Sequence, residues 1–306
     1  MTDFHNRLTR LRAELVRQGL DGFVLATGDE HLSEFIAPFS RRLAWLTGFT
    51  GTVASAAVLA DKAAFFVDSR YTVLARELVD GADWSYQNVP QTSPGDWLAA
   101  EVERGTRIGY DPMLHTRAAV RLMQDKLTAR GASLVPVDAN PIDRLWRDQP
   151  HRPATPMFVQ PLELTGKSTA DKQREVADWL AAIGADACVL VALDSIAWLF
   201  NVRGSDIAVV PVNFAYAILH RDGIADLFVD ETKVGDPVRQ HLGNSVRLAP
   251  YETFVGALSD LGGKRVSVDP ARTPAAVYTA LEKAGARTVR HRLPLPFRRV
   301  GHCLPG

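Results

Sequence analysis

Apolar residues recur at helical spacing at two places in the chain, and each place begins a similar series of segments. The apolar positions are Phe4, Leu8, Leu11 and Leu15 in the first helix and Val176, Trp179, Leu180 and Ile183 in the second. This spacing is typical of a helix that buries one face. Gly19 and Gly184 follow the two helices where a C-terminal stop is expected.

Four short segments then follow in the same order in both copies. They are 19–26 with 184–191, 44–48 with 197–201, 64–68 with 226–230, and 107–112 with 265–270. The offset drifts only between 153 residues, from Trp45 to Trp198, and 165 residues, from Asp21 to Asp186. Helical stretches follow again, over about 116–130 and 273–284. Four matches near one offset predict a duplicated fold.

The order of the segments predicts the fold class. Helices interleaved with strands indicate α/β domains, and the β-rich pieces within 194–219 favour antiparallel strands in part of the sheet. We therefore predict two tandem duplicated domains, each a mixed β-sheet flanked by helices. Prolines at 141, 150, 153 and 156 mark a linker from about residue 140. The predicted domains are 1–155 and 156–290, and 291–306 is an atypical tail.

The composition restricts which binding partners and which cellular compartment are expected. The 306 residues carry 35 basic and 35 acidic side chains, so their formal net charge of zero predicts no nucleic-acid partner. Apolar runs are shorter than the ~20 residues that span a bilayer, which predicts no membrane association. Residues 1–7 lack the apolar core of a signal peptide. The two cysteines, Cys188 and Cys303, suggest no disulfide framework, and we expect a cytoplasmic protein.

Catalytic patterns are missing from the sequence. It contains no His-Glu-x-x-His, no Gly-x-Ser-x-Gly and no cysteine pair at zinc spacing, and no two of its eight histidines are separated by four residues. Residues 166–169, Gly-Lys-Ser-Thr, resemble the end of a phosphate-binding loop, but Pro161 stands where that loop needs glycine. We predict instead that Ser168 or Thr169 caps the following helix.

Three polar motifs have alternative interpretations. Asp29-Glu30-His31 is predicted to be a solvated loop, with a structural hydrogen-bonding role and catalysis as alternatives. The segment Arg203–Asp206 predicts a turn with a local Arg–Asp pair. Asp68 is predicted to cap a helix over 72–78.

Aromatic residues near glycines give the remaining candidates. Trp45 and Trp198 recur in both copies, which favours core packing. Arg41, Arg42 and Phe49 do not recur in the same form. Arginines beside a Gly-Phe turn could present a cation to a peptide carboxylate, with a plain surface loop as the alternative.

Together these motifs resemble the cytosolic three-domain form of aminopeptidase P, the Xaa-Pro aminopeptidases. The resemblance covers residues 1 to about 290. The matching stretches are Asp29–Phe35, Arg41–Gly51, Asp68–Tyr71, Asn140–Trp146, Gly166–Ser168, Ala192–Ile207 and Pro211–Val212. Two departures from the family pattern, each the loss of a glycine, are Gly51-Thr-Val-Ala54 and Asp68-Ser-Arg-Tyr71.

The resemblance implies a third, pita-bread domain that is not found in this sequence. In the family that domain supplies two aspartates, a histidine and two glutamates to two divalent metals, usually manganese, which activate water against the peptide bond before a proline. We therefore expect no cofactor and no catalytic residue in this chain. Our hypothesis is that the gene is truncated or frameshifted near residue 290, so that 291–306 is read out of frame.

The favoured function is thus the non-catalytic N-terminal portion of a Xaa-Pro aminopeptidase, inert by itself. Arg41, Arg42 and Phe49 are its candidate substrate-channel residues. A peptide would be a partner only if a catalytic domain is supplied, and a homo-oligomer is a further expected assembly. One alternative is a free-standing interaction or regulatory module that pairs with a separate catalytic chain. Another is an unrecognised enzyme with its sites on these two domains.

Overall fold

The structure is a computed structural model that describes residues 3–290. The predicted tail, 291–306, lies outside the described residues. The chain forms two compact units, and each is described by itself. The first comprises Met1–Glu30 with Pro38–Arg152, and the second comprises His31–Ala37 with Pro153–Gly306.

The first unit is a mixed six-stranded sheet with helices. Its helices are α1 (Asp3–Arg17), α2 (Arg42–Thr47), α3 (Thr72–Leu78), α4 (Pro94–Glu101), α5 (Arg117–Thr128) and α6 (Pro141–Leu145). Its strands are β1 (Gly22–Ala26), β2 (Ser55–Leu59), β3 (Ala63–Val67), β4 (Ser85–Asn88), β5 (Arg107–Tyr110) and β6 (Ser133–Pro136). The strand order is β4-β3-β2-β1-β5-β6. Strand β2 is antiparallel to both of its neighbours, and the other pairs are parallel.

The second unit repeats this sheet and adds a two-stranded ribbon. Its helices are α7 (Leu162–Thr165), α8 (Thr169–Ala182), α9 (Leu193–Leu199), α10 (Asp236–Leu242), α11 (Phe254–Ala257) and α12 (Ala275–Lys283). Its strands are β7 (Phe158–Val159), β8 (Ala187–Leu190), β9 (Val202–Arg203), β10 (Ala215–His220), β11 (Ala225–Val229), β12 (Val246–Ala249), β13 (Arg265–Val268) and β14 (Arg287–Arg290). The large sheet has the order β12-β11-β10-β8-β13-β14, and β7 pairs with β9.

The two large sheets have the same order and the same pairing directions, with β10 antiparallel to both neighbours as β2 is. One side-chain contact also recurs. Asp21 accepts a hydrogen bond from the backbone N–H of Arg107 at 2.8 Å, and Asp186 accepts one from Arg265 at 2.9 Å. In both units this contact joins the start of the first strand to its parallel neighbour. The predicted duplication of a mixed α/β domain is confirmed.

Apolar side chains of the first unit form two clusters because alternate residues of a strand point to opposite faces of the sheet. In β3, Phe65 belongs to one cluster and Phe66 to the other. The predicted face of α1 packs on the first cluster through its buried leucines Leu8, Leu11 and Leu15. Trp45 belongs to this cluster too, as predicted.

Strand β8 lies at the centre of the second sheet, between β10 and β13. All four of its residues are buried, and they include Cys188. Burial raises the pKa of the Cys188 thiol to about 12. Val176 and Leu180 of α8 are buried in the same apolar cluster, and Trp198 packs against it partly buried. The predicted core positions are therefore confirmed here as well.

Side-chain caps mark the start of two helices and of one tight turn. Ser168 accepts a hydrogen bond from the backbone N–H of Asp171 at 3.1 Å and caps α8, which confirms the prediction for residues 166–169. Asp68 accepts a hydrogen bond from the N–H of Arg70, so it caps the tight turn before α3 and not α3 itself. Helix α6 lies within the proline-marked linker. A helix can form there because Asn140 caps it and Pro141 occupies its first turn, where proline is tolerated.

Candidate functional site

The structure places the three predicted substrate-channel residues in different environments. Arg41, just before α2, has an exposed side chain, whereas Arg42, the first residue of α2, is buried. Phe49 is only 2% exposed and packs in the core of the first unit. Of the three candidates, only Arg41 therefore has a side chain open to solvent. Their assignment to a substrate channel stays a prediction.

Arg42 belongs to a polar cluster that we call the first polar cluster, formed by Arg42, Asp111, Asn140 and Asp143. The guanidinium of Arg42 donates two hydrogen bonds to Asp143, from Nε at 2.7 Å and from Nη2 at 2.9 Å. Asn140 donates a hydrogen bond to Asp111 at 3.0 Å. Helix α6 contributes Asp143 and its cap, and Asp111 directly follows β5. The cluster therefore ties both segments to α2.

Burial and charge act against each other in this cluster. Burial disfavours the charge of Arg42, but the hydrogen bonds and the charge of Asp143 outweigh it and hold the pKa of Arg42 above its ordinary value. Burial raises the pKa of the Asp111 carboxyl despite the hydrogen bond from Asn140. Among residues 3–290, the buried Nη1 of Arg42 has no hydrogen-bond partner.

The second unit has a related pair at the corresponding ends of its strands. Arg272, which follows β13, donates to Asp194 from Nη1 at 3.0 Å, and its Nη2 lies 2.8 Å from the other carboxylate oxygen. Asp194 lies in the first turn of α9, the helix after β8. In the second unit this two-point Arg–Asp pair joins the segments after the parallel strands β8 and β13, whereas in the first unit Arg42 joins α2 to α6. Such pairs fix geometry as well as charge, which favours a structural role for Arg42.

Residues 29–31 are buried, so the prediction of a solvated loop is wrong. His31 belongs to the second unit, where its Nδ1 lies 2.7 Å from the carbonyl oxygen of Val191 and its Nε2 lies 2.7 Å from the hydroxyl of Tyr251. Its ring stacks on Tyr216 at a centroid distance of 4.4 Å. The alternative, a structural hydrogen-bonding role, is what the structure supports.

The local Arg203–Asp206 pair is also absent from the described residues. Arg203 donates to the carbonyl oxygens of Ala197 and Val202. Asp206 pairs with Lys233 at 2.6 Å, and both side chains are almost completely buried. The prediction of a local pair is therefore wrong, because Arg203 bonds to backbone carbonyl oxygens near it and Asp206 pairs with the distant Lys233.

A buried lysine in the second unit was not predicted as a site. Lys172 of α8 is 1% exposed, donates hydrogen bonds to the carbonyl oxygen of Trp198 and to Asn201, and lies 4.2 Å from the centroid of the Trp198 ring. Burial lowers its pKa to about 8, and the charges of Arg203 and Lys167 add to the effect. The available signal was its position four residues before Val176 on the apolar face of α8.

Sequence profiles of one domain family match the chain twice. The profiles are described as the Creatinase/Prolidase N-terminal domain, and they match residues 7–145 and 148–299. The chain belongs to the creatinase/prolidase N-terminal domain family. The two units are a first and a second creatinase/prolidase domain, and the second match runs past residue 290, where the resemblance was expected to give out.

Similar proteins are longer than this creatinase/prolidase pair. A probable Xaa-Pro aminopeptidase P of Coccidioides posadasii is 38% identical over 262 residues, which are 84% of this chain and 42% of that protein. One of Ajellomyces dermatitidis is 34% identical over 291 residues, 92% of this chain and 46% of that protein. The chain spans less than half the length of these relatives. It resembles the N-terminal portion of aminopeptidase P.

A solved relative has the same fold. The crystal structure of X-prolyl aminopeptidase from Caenorhabditis elegans, described as a cytosolic enzyme with a di-nuclear active site, is 27% identical. It superposes with a TM-score of 0.90 over 96% of this chain and 51% of its own. The pair of creatinase/prolidase domains thus accounts for about half of that enzyme.

Residues 3–290 bring no three His, Cys, Asp or Glu side chains together in a group that could hold a metal ion. This part of the chain therefore does not fit the two-metal centre that the resemblance implies, and the absence of a cofactor stays a prediction. In the same range no helix is long and apolar enough to cross a membrane.

His115 makes the stability of the first creatinase/prolidase domain depend on pH. It is buried beside Tyr110, and burial lowers its pKa to about 4, against about 6.5 in an unfolded chain. Between these values the unfolded chain binds the proton more readily, so stability falls as pH falls. We expect His115 to account for a loss of about 2 kcal/mol between pH 7 and pH 5.

Urea unfolding at the two pH values measures this loss. The variant His115→Gln should show a pH-dependent loss that is smaller by about 2 kcal/mol. The control is His151→Gln, since His151 is exposed, and it should behave like the parent chain. Equal losses in all three proteins would show that His115 is not held neutral.

Proposed function

We propose that the two creatinase/prolidase domains are the non-catalytic, N-terminal portion of a metal-dependent Xaa-Pro aminopeptidase. They would support a catalytic domain that releases the residue before a proline, and they would not cleave peptides themselves. The observation that carries the proposal is the match to X-prolyl aminopeptidase from Caenorhabditis elegans, which covers 96% of this chain but 51% of that enzyme. A cytoplasmic location forms part of the proposal and is supported by the description of that relative as cytosolic.

Within this proposal Arg41 contacts the peptide, and Arg42 and Phe49 position it. Arg41 has an exposed guanidinium, which suits the binding of a peptide carboxylate or carbonyl. Arg42 anchors the start of α2 to Asp143, and Phe49 fixes the turn after α2 in the core. In this proposal Arg41 forms part of the peptide-binding surface, and Arg42 and Phe49 hold the segment that carries it.

We expect the purified chain to show no turnover of an Xaa-Pro peptide, with or without added manganese. The physical reason is that metal-assisted hydrolysis requires carboxylate and imidazole ligands converging on the ions, and residues 3–290 form no such group. The measurement is peptide hydrolysis, with X-prolyl aminopeptidase from Caenorhabditis elegans as the positive control. Metal-dependent turnover by the chain that survives repurification would overturn the proposal.

A chimera tests the supporting role directly. Residues 1–290 replace the matching portion of the Caenorhabditis elegans enzyme, and the chimera should cleave the peptide. The chimera with Arg41→Ala should have a raised KM, whereas Arg121→Ala, an exposed arginine on α5, should not. A folded chimera without activity would count against the supporting role, and an unchanged KM would remove Arg41 from the peptide-binding surface.

A further inference from the structure

Arginine side chains line a surface cavity of about 300 Å³ in the first creatinase/prolidase domain. The lining residues are Arg10, Ala13, Arg17, Arg144, Leu145 and Arg147. The first three lie on α1 at spacings of three and four residues, so they share one face of that helix. Ala13 is small, which leaves room between the arginines. We call this feature the arginine cavity.

One carboxylate, that of Glu14, contacts two of these four arginines. Glu14, almost completely buried, forms an ion pair with Arg17, and its other oxygen lies 3.8 Å from Nη1 of Arg144. Gln18 donates a hydrogen bond to that same oxygen at 2.8 Å. Both oxygens of Glu14 are therefore engaged, and the carboxylate holds two of the guanidinium groups in place.

The other two arginines have no carboxylate partner among residues 3–290. Arg10 donates one hydrogen bond from Nη2 to the carbonyl oxygen of Leu145 at 2.9 Å, which leaves its remaining donors available. For Arg147, also exposed, the described part of the chain provides neither an ion pair nor a hydrogen bond to the side chain. The arginine cavity thus holds three more positive than negative charges, although the chain as a whole is neutral.

Arginines near the ends of helices often only bind the last carbonyl groups. Binding to a helix carbonyl accounts for the hydrogen bond from Arg10 to Leu145. It does not account for Arg147, whose side chain binds no carbonyl group among residues 3–290. Like charges around one small cavity repel each other, so a bound anion would stabilise the arrangement. The planar guanidinium donors match the oxygens of phosphate in pairs.

The size of the cavity restricts the ligand. A volume of about 300 Å³ is at the lower end of small-molecule sites, and the apolar lining is limited to Ala13 and Leu145. A long acidic peptide would need an extended groove. We propose that the arginine cavity binds a diphosphate group, either as free pyrophosphate or as the diphosphate of a small ester. This binding is independent of the proposed aminopeptidase role.

Calorimetric titration of the full chain with inorganic pyrophosphate at low ionic strength tests the proposal. The double variant Arg10→Gln/Arg147→Gln should weaken binding by about a hundredfold or more, because two charged hydrogen bonds are lost and each contributes about tenfold or more. The single variant Arg147→Gln loses no contact within the described chain and should weaken binding without unfolding. The matched control, Arg121→Gln, should stay within about twofold of the parent.

Three further ligands identify the source of the diphosphate and exclude other anions. Tighter binding of a nucleoside diphosphate than of pyrophosphate would indicate an ester, and equal or weaker binding would indicate the free anion. Sulfate and a penta-glutamate peptide should bind more weakly than pyrophosphate. The proposal fails if pyrophosphate does not bind at millimolar concentration, if the double variant binds it as the parent does, or if the acidic peptide binds more tightly.

Discussion

Replacing Asp206 with alanine should lower the free energy of unfolding of the second domain by about 3–5 kcal/mol. The change removes the carboxylate that pairs with Lys233 at 2.6 Å, and Lys233 is 1% exposed. Its ammonium group would then be buried without a counter-charge. Asp206 also accepts hydrogen bonds from the hydroxyl of Thr155 and from the N–H of Phe214, and these donors would lose their acceptor.

Urea unfolding combined with hydrogen exchange of β10 measures this loss within the second domain. The matched control is Arg247→Ala, which breaks the more exposed pair with Asp226 and should cost less than about 1 kcal/mol. A second variant, Lys233→Met, replaces the cation with an apolar side chain of similar length and should be less harmful than Asp206→Ala. A loss below about 1 kcal/mol in Asp206→Ala would show that the pair does not hold the domain together.

Phe49→Ala should destabilise the first domain by about 3–5 kcal/mol, because a fully buried aromatic ring leaves a cavity when it is removed. The ring of Phe49 lies 5.0 Å from that of Phe65 and 5.7 Å from that of Tyr71, edge to face in both cases. The loss would therefore reach β3 and the turn before α3. This result separates a positioning role for Phe49 from direct contact with a peptide.

Urea unfolding with hydrogen exchange of β3 measures the effect. Leu122→Ala is the control, since Leu122 is an exposed residue of α5 and its loss should stay within about 0.5 kcal/mol. Phe49→Leu should fall between the two. If Phe49→Ala leaves stability nearly unchanged, the buried placement of this ring is wrong and a role at the surface becomes the better explanation.

The fold was predictable because it depends on short-range periodicity that the sequence repeats. The apolar spacing of α1 and α8, the buried runs that become β3 and β11, and the serine cap of α8 are all local signals. Their recurrence near a constant offset predicted the duplication. The direction of each strand was not readable in this way, since it depends on which strands meet in the sheet.

The polar sites were less predictable because their partners lie far away in sequence. His31 contacts Val191 and Tyr251, which are 160 and 220 residues away. Arg42 finds Asp143 at a distance of 101 residues. A motif of three neighbouring residues carries no information about such partners. Residues 29–31, expected to form a solvated loop, are therefore buried. Arg42, expected to line a substrate channel, instead anchors α2 to Asp143.

Cys188 is a natural probe of local opening in the second domain. Its thiol is completely buried in β8, and burial holds the pKa at about 12, so little thiolate exists at neutral pH. Thiol reagents attack the thiolate, and they can reach it only when the apolar cluster that covers Cys188 opens. The rate at which Cys188 becomes modified therefore reports how often this cluster opens, and no label has to be introduced into the chain.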